Sequence, residues 1–266
     1  MKRLLPVVLL LLLMLASMVV LRLSPWRYAT QDRVSILASS TLTHPAGTDE
    51  LGRDRLVRAA AALLIGIGGA SAAATITILL AAAAGLLAAF SPSWVAAVLL
   101  FLSDGFLSLP WLFLLMIVRS MLPLTASPLT TAVITFLVLA LLGWPAFART
   151  IFHGARGIRS SEWMIHGRAS GLTARQLILV HVFPNLGSLL LPQFFVCIPA
   201  FLMAEANLGA LGLGVGEPIP SWGAMLLELD NTALLISTRW VFLPIALLVL
   251  VLLLLEFLTS EANAHV

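Results

Sequence analysis

Six long apolar stretches alternate with polar ones along the chain, at residues 4–23, 59–90, 95–122, 129–148, 186–209 and 240–258. A helix needs roughly 20 apolar residues to cross a bilayer core, so the pattern predicts an all-α membrane protein with six transmembrane helices. The second stretch is overlong and rich in small residues. Ile65-Gly66-Ile67-Gly68-Gly69-Ala70-Ser71 and the run from Ala81 to Gly85 put them on every helical face, which predicts close helix packing inside the bundle. Pro110 and Pro145 fall within or near the ends of the third and fourth stretches, and Pro192 and Pro199 within the fifth. A missing amide bends or breaks a helix at such points.

Three polar stretches, 24–58, 149–185 and 210–239, are long for connections between packed helices and are the places to look for function. Met1-Lys2-Arg3 followed by apolar residues to Leu21 has the outline of a signal peptide. The apolar run exceeds the 7–15 residues of such segments, and Ser24-Pro25-Trp26 is a poor cleavage site, so an uncleaved first helix is expected. Six spans put both termini on one side, and Lys2 and Arg3 place that side in the cytoplasm. The 149–185 stretch is then cytoplasmic and the other two face outward. Parity decides this more than charge, because Arg27, Arg33, Arg53, Arg55 and Arg58 outside balance Arg149, Arg156, Arg159, Arg168 and Arg175 inside.

Composition narrows the class. The chain is 61% hydrophobic and 10% charged, with a mean hydropathy of +1.07, where a soluble domain carries roughly one-quarter charged residues. Most of the 266 residues sit in lipid, leaving no room for a sizeable soluble domain. Fourteen of the fifteen basic residues are Arg against twelve acids, so the basic balance reflects few acids and no cationic patch for nucleic acid. The single Cys197, in an apolar run, is a buried inert thiol and forms no disulfide within the chain.

Candidate chemistry is sparse. Asp104 and Glu205 lie well within spans, where a charge costs roughly 2.5–3.5 kcal/mol on insertion scales. Each either lines a translocation path or joins helices through a hydrogen bond. Glu256 and Arg119, near helix ends, reach the interface. His44, His153, His166 and His181 show no ligand spacing on one helix face, so no metal site is expected. There is no phosphate-binding Gly-x-x-x-x-Gly-Lys-Ser/Thr loop and no nucleophile–base pair at matching depth, so the chain is read as non-catalytic. An ion-coupled secondary transporter using Asp104 and Glu205 is the alternative reading, although no internal repeat is evident.

In the 149–185 stretch, Ser161-Glu162-Trp163-Met164-Ile165-His166-Gly167-Arg168-Ala169-Ser170-Gly171-Leu172-Thr173 precedes an amphipathic run ending His181-Val182-Phe183-Pro184-Asn185. Two short helices broken at Gly171 are expected, able to dock in a partner's groove. The stretch resembles the cytoplasmic coupling loop, or EAA loop, of ABC importer permeases of the peptide and nickel family. Arg168, Ala169, Gly171, His181, Val182, Pro184 and Asn185 match in register, while the signature Glu-Ala-Ala positions are Ile165, His166 and Gly167. Gly47-Thr48-Asp49-Glu50-Leu51-Gly52-Arg53-Asp54, after His44-Pro45, resembles the block before the second helix of that family's second-type (C-type) subunit. Its glycines suit tight turns, and Asp49 and Asp54 suit nearby backbone amides. Gly143-Trp144-Pro145-Ala146-Phe147-Ala148-Arg149 resembles the end of the family's fourth helix. The run from Ala204 to Val215, with Pro218, Pro220, Ser221, Trp222 and Gly223, resembles a fourth block. Two departures stand out: Phe101 precedes Asp104 where the family often has Arg, and a Gly-Asp-x-Leu-Arg-Asp tail does not follow Leu258.

The resemblance implies a type I ABC importer permease fold. It divides the chain into an N-terminal helix and extracytoplasmic segment, 1–58, and a permease core, 59–259, containing the coupling loop 150–185. It implies a bacterial inner-membrane subunit that works with a homologous permease, two ATP-binding cassette subunits and an extracytoplasmic solute-binding protein. ATP and Mg would be bound in the partner ATPases and no cofactor in this chain. Glu162, Ile165, His166, Gly167, Arg168, Ala169, Gly171 and Pro184 are the implied ATPase-coupling residues. Peptides, nickel or other metal chelates and related small solutes are the implied cargo.

Overall fold

A computed structural model of the chain describes residues 4–121, 127–177, 182–231 and 239–263. Its helices are α1 (Leu4–Leu23), α2 (Arg55–Phe90), α3 (Ser93–Ser108), α4 (Trp111–Ser120), α5 (Pro128–Arg159), α6 (Glu162–Ala169), α7 (Ala174–Leu177), α8 (Phe183–Ala210), α9 (Trp222–Leu226) and α10 (Leu243–Asn263). Turns of 3₁₀ helix at Leu227–Asp230 and Arg239–Phe242 follow α9 and lead into α10.

Among the described residues five apolar helical runs are long enough to cross a membrane: Leu5–Leu23, Arg55–Phe90, Pro128–Arg159, Pro184–Ala210 and Arg239–Thr259. The third expected span is a broken pair, α3 of 16 residues and α4 of 10. Pro110 has no amide to continue α3, and Leu109 before it is extended at φ −89, ψ 135. Pro145, Pro192 and Pro199, by contrast, lie inside unbroken helices.

The polar stretch expected from residue 149 begins as more of α5, which runs on to Arg159. The reason is packing. Ala148, Ile151, Phe152 and Ala155 recur at helical spacing and bury against Ala81, Ala82, Ala88 and Ala89 of α2, so the apolar face outlasts the apolar composition.

The core forms around α2, with Leu63, Ile67, Ala70 and Ala74 meeting Leu139 and Ala140 of α5, Phe201 and Leu202 of α8, and Val251 and Leu255 of α10. A Cβ at Gly69 would lie 2.3 Å from the Phe136 ring, and one at Gly85 only 2.7 Å from the Ala148 carbonyl oxygen. The helices therefore cross closer than any larger residue allows. At that crossing the buried Thr77 hydroxyl donates to the Ala140 carbonyl at 3.0 Å. Cys197 is fully buried.

Candidate coupling and translocation site

α6 opens with Glu162 in its first turn and carries His166 and Arg168 in its last, the charge order that suits its dipole. It ends at Gly171, whose φ is +80. The Leu172 amide donates to the Gly167 carbonyl at 3.1 Å and the Gly171 amide to the Arg168 carbonyl at 3.0 Å, the paired bonds of a Schellman ending. The next helix starts at once. Gln176 Oε1 accepts from the Thr173 amide at 2.9 Å, and the Thr173 hydroxyl oxygen accepts from the Gln176 amide at 3.4 Å, a reciprocal cap.

The element has two faces. Met164, Leu177 and Val182 are buried together against Leu86 and Phe90 of α2, Ile158 of α5 and Leu186 of α8. Gly167 is buried with them, while Glu162, Ile165, His166, Arg168, Ala169 and Gly171 are exposed. Ile165 is 56% exposed and Trp163 39%, so the outer face presents apolar surface. Pro184 is exposed in the first turn of α8, and His181 lies outside the described residues. One face thus grips the ends of three long helices and the other is open to a partner.

Asp104 and Glu205 have quite different surroundings. Asp104 of α3 pairs with Arg149 of α5 through two contacts, 2.9 Å and 3.2 Å, with both side chains about half exposed. Sequence reasoning singled out Asp104 without naming Arg149 as its partner. The signal available was that Arg149 closes the Gly143–Arg149 motif. Glu205 of α8 is 1% exposed. Its carboxylate faces the Ser221 hydroxyl and the backbone amides of Trp222 and Gly223 at the start of α9, yet no donor among the described residues meets it in hydrogen-bond geometry. It lies against the start of α9, within the core rather than on an open surface.

The segment before α2 is tied by ions to the loop after α8. Gly47 and Gly52 adopt φ +70 and +74. Asp49 Oδ1 accepts from the amides of Leu51 at 2.9 Å and Arg53 at 2.8 Å, and its Oδ2 from Arg53 Nε at 2.6 Å. Asp54 caps α2 by accepting from the Val57 amide at 2.9 Å, and its other oxygen meets His44 Nδ1 at 2.9 Å. The His44 ring stacks on Trp26 with centroids 4.6 Å apart. Glu217 bridges Arg53 at 2.5 Å and Arg58 at 3.0 Å; sequence reasoning missed it. Arg55 pairs with Glu228 at 2.9 Å. Burial opposes the Arg53 charge, but its hydrogen bonds to Asp49 and Glu217 win and raise its pKa above the usual guanidinium range. Burial pushes the Glu228 carboxyl up, with Arg55 pulling the other way. The Asp32 carboxyl is lowered by hydrogen bonds from the Ser35 side chain and the Val34 amide.

Residues 81–260 match the family described as the binding-protein-dependent transport system inner membrane component. The chain is 31% identical over 250 residues to the oligopeptide transport system permease protein OppC of Mycobacterium tuberculosis, covering 91% of this chain and 82% of the relative. It is 27% identical to OppC of Haemophilus influenzae, over 82% of this chain and 68% of that one. It is 32% identical to the di/tripeptide transport system permease protein DppC of Pseudomonas aeruginosa, over 68% of this chain and 57% of that one. With the matched region spanning α5, the α6–α7 element and α8, the chain belongs to the binding-protein-dependent transport system inner membrane components, as a multi-pass permease subunit of an ABC importer.

Proposed function

We propose that this chain forms one half of the translocation path of a peptide importer, and that α6 and α7 receive the ATPase stroke on their exposed face. The single observation that carries the coupling role is the two-faced α6–Gly171–α7 element, anchored by Met164, Leu177 and Val182 to the ends of α2, α5 and α8. A partner that moved it would move all three helices together as a lever. The peptide cargo follows the relatives, two oligopeptide permeases and one di/tripeptide permease. In this reading the partners are a homologous permease, two ATP-binding cassette subunits holding ATP and Mg, and an extracytoplasmic binding protein. This chain hydrolyses nothing. Residues 1–58 form the N-terminal helix and outer segment, 59–259 the core.

The test is substrate-stimulated ATPase activity of the reconstituted complex. Among the described residues nothing lies within 4 Å of a Cβ at Gly171, so the strain of a substitution there comes from its φ of +80. A β-branched residue is strained there by about 1 kcal/mol or more, and Gly171→Val is expected to lower stimulation while leaving assembly intact. Wild-type stimulation in that variant would remove the lever. Ile165→Glu, which charges the apolar outer face, is expected to weaken coupling; stronger coupling would mean that the apolar contact is not used.

Orientation has its own measurement. Ser221 lies in the outward loop but is only 4% exposed, so a cysteine there reports burial and not sidedness. Val34 and Leu42, at 95% and 104% exposed, are better probes. With Cys197 replaced, an impermeant thiol reagent added outside is expected to label Leu42→Cys and spare Ser170→Cys. The reverse pattern would place α6 and α7 outside.

A further inference from the structure

We propose that the recess where α2 turns into α3 binds the phosphate headgroup of an anionic phospholipid, in the cytoplasmic leaflet if the orientation proposed above holds. The recess encloses about 570 Å³ between the ends of α2 and α5 and the first turns of α3. Its polar lining is Ser91, Ser93, His153, Arg156 and Arg159, and no acid lines it among the described residues. Arg53, Arg55, Arg58 and Arg149 each meet a carboxylate. Arg156 and Arg159 meet none among the described residues. The Arg156 guanidinium instead stands 5.3 Å from the centroid of the Phe152 ring. Arg159 Nη1 donates to the Ala89 carbonyl at 2.6 Å, which holds the second guanidinium against the end of α2.

The remaining wall is apolar, with Phe152 from α5 and Ala97 and Leu100 from α3. A planar guanidinium fork matches a phosphate's oxygens, and basic pockets beside membrane helices take anionic headgroups. The apolar wall favours a molecule that also carries an acyl chain; inorganic phosphate would leave it bare, and the headgroup of a zwitterionic lipid would bring a further cation to a recess that already holds two guanidinium groups. Trp94, beside the lining residue Ser93 in the first turn of α3 and 70% exposed, has the amphipathic ring enriched at the depth of lipid headgroups.

The experiment is native mass spectrometry of the assembled complex in detergent, titrated with dioleoyl phosphatidylglycerol, dioleoyl phosphatidylcholine or inorganic phosphate. Phosphatidylglycerol is expected to bind at least tenfold tighter than phosphatidylcholine. Arg156→Gln, an exposed change that leaves the Arg159 contact in place, is expected to erase most of that preference. Ala97→Trp, which fills the recess without altering charge, is expected to abolish the bound lipid. Equal binding of the two lipids, or an unchanged preference in Arg156→Gln, would overturn the proposal. So would displacement of phosphatidylglycerol by millimolar inorganic phosphate, which would assign the site to the free anion. Because lipid retention is read without transport or ATP, its failure is separate from failure of the coupling reading.

Discussion

Replacing Asp49 with alanine is expected to lower stability by about 3–5 kcal/mol, the range seen when one partner of a buried ion pair is deleted. Asp49 is 2% exposed and sits between two guanidinium groups that are themselves buried, Arg53 at 7% and Arg58 at 2%. It accepts from the Leu51 and Arg53 amides and from Arg53 Nε, and lies 3.7 Å from Arg58 Nε. Without it, two backbone donors lose their acceptor and two buried cations share Glu217 alone. Glu217 is a weaker member, since its side chain is 49% exposed and water replaces part of what it gives. Glu217→Gln is therefore expected to lose about 1.5–2 kcal/mol, the lower end of the range for a hydrogen bond to a charged group. Thermal unfolding of the solubilised complex orders the two variants. An Asp49→Ala protein that melts with wild type would show that the ion cluster does not hold the outer segment, and a Glu217→Gln protein that melts below it would make Glu217, not Asp49, the main partner of the two guanidinium groups.

The sequence made the spans visible because lipid demands continuous apolar runs, and this chain has little else. It was silent on where helices stop when tertiary packing takes over from lipid. Arg149 to Arg159 reads as polar, yet Ile151, Phe152 and Ala155 keep an apolar face that only the neighbouring end of α2 makes useful. Proline was equally ambiguous. Pro110 ends α3, whereas Pro145 is buried within α5, and the residue itself cannot say which outcome its surroundings will support. Gly171 was legible because one glycine after a short periodic run has few other uses. The ionic hub was not: Glu217 meets Arg53 and Arg58 across 164 and 159 residues, and no local pattern announces a contact so distant. Asp104 was conspicuous as a charge in an apolar stretch, but its partner Arg149 lies 45 residues on.

The same limit applies at the junction of α8 and α9, where glycine carries the second large effect. Gly223 of α9 and Gly209 of α8 meet backbone to backbone. A Cβ on Gly223 would stand 2.2 Å from Gly209 Cα and 2.6 Å from the Ala206 carbonyl oxygen, and one on Gly209 would stand 2.4 Å from Gly223 Cα. No flexible side chain is available to move aside, so the helices themselves must part. Trp222, fully buried in the core beside Gly223, would be drawn out with α9, and Glu205 would lose its place against the start of that helix. Overpacking costs typically 1–3 kcal/mol and more when backbone must shift, so Gly223→Ala is expected to lose about 3 kcal/mol and to reduce recovery of the assembled complex. Gly68, with nothing within 4 Å of its would-be Cβ, supplies the control, and Gly68→Ala is expected to melt with wild type. Equal melting temperatures for Gly223→Ala and Gly68→Ala would mean that α9 is not seated on α8 as described, and with it would go the buried position assigned to Glu205.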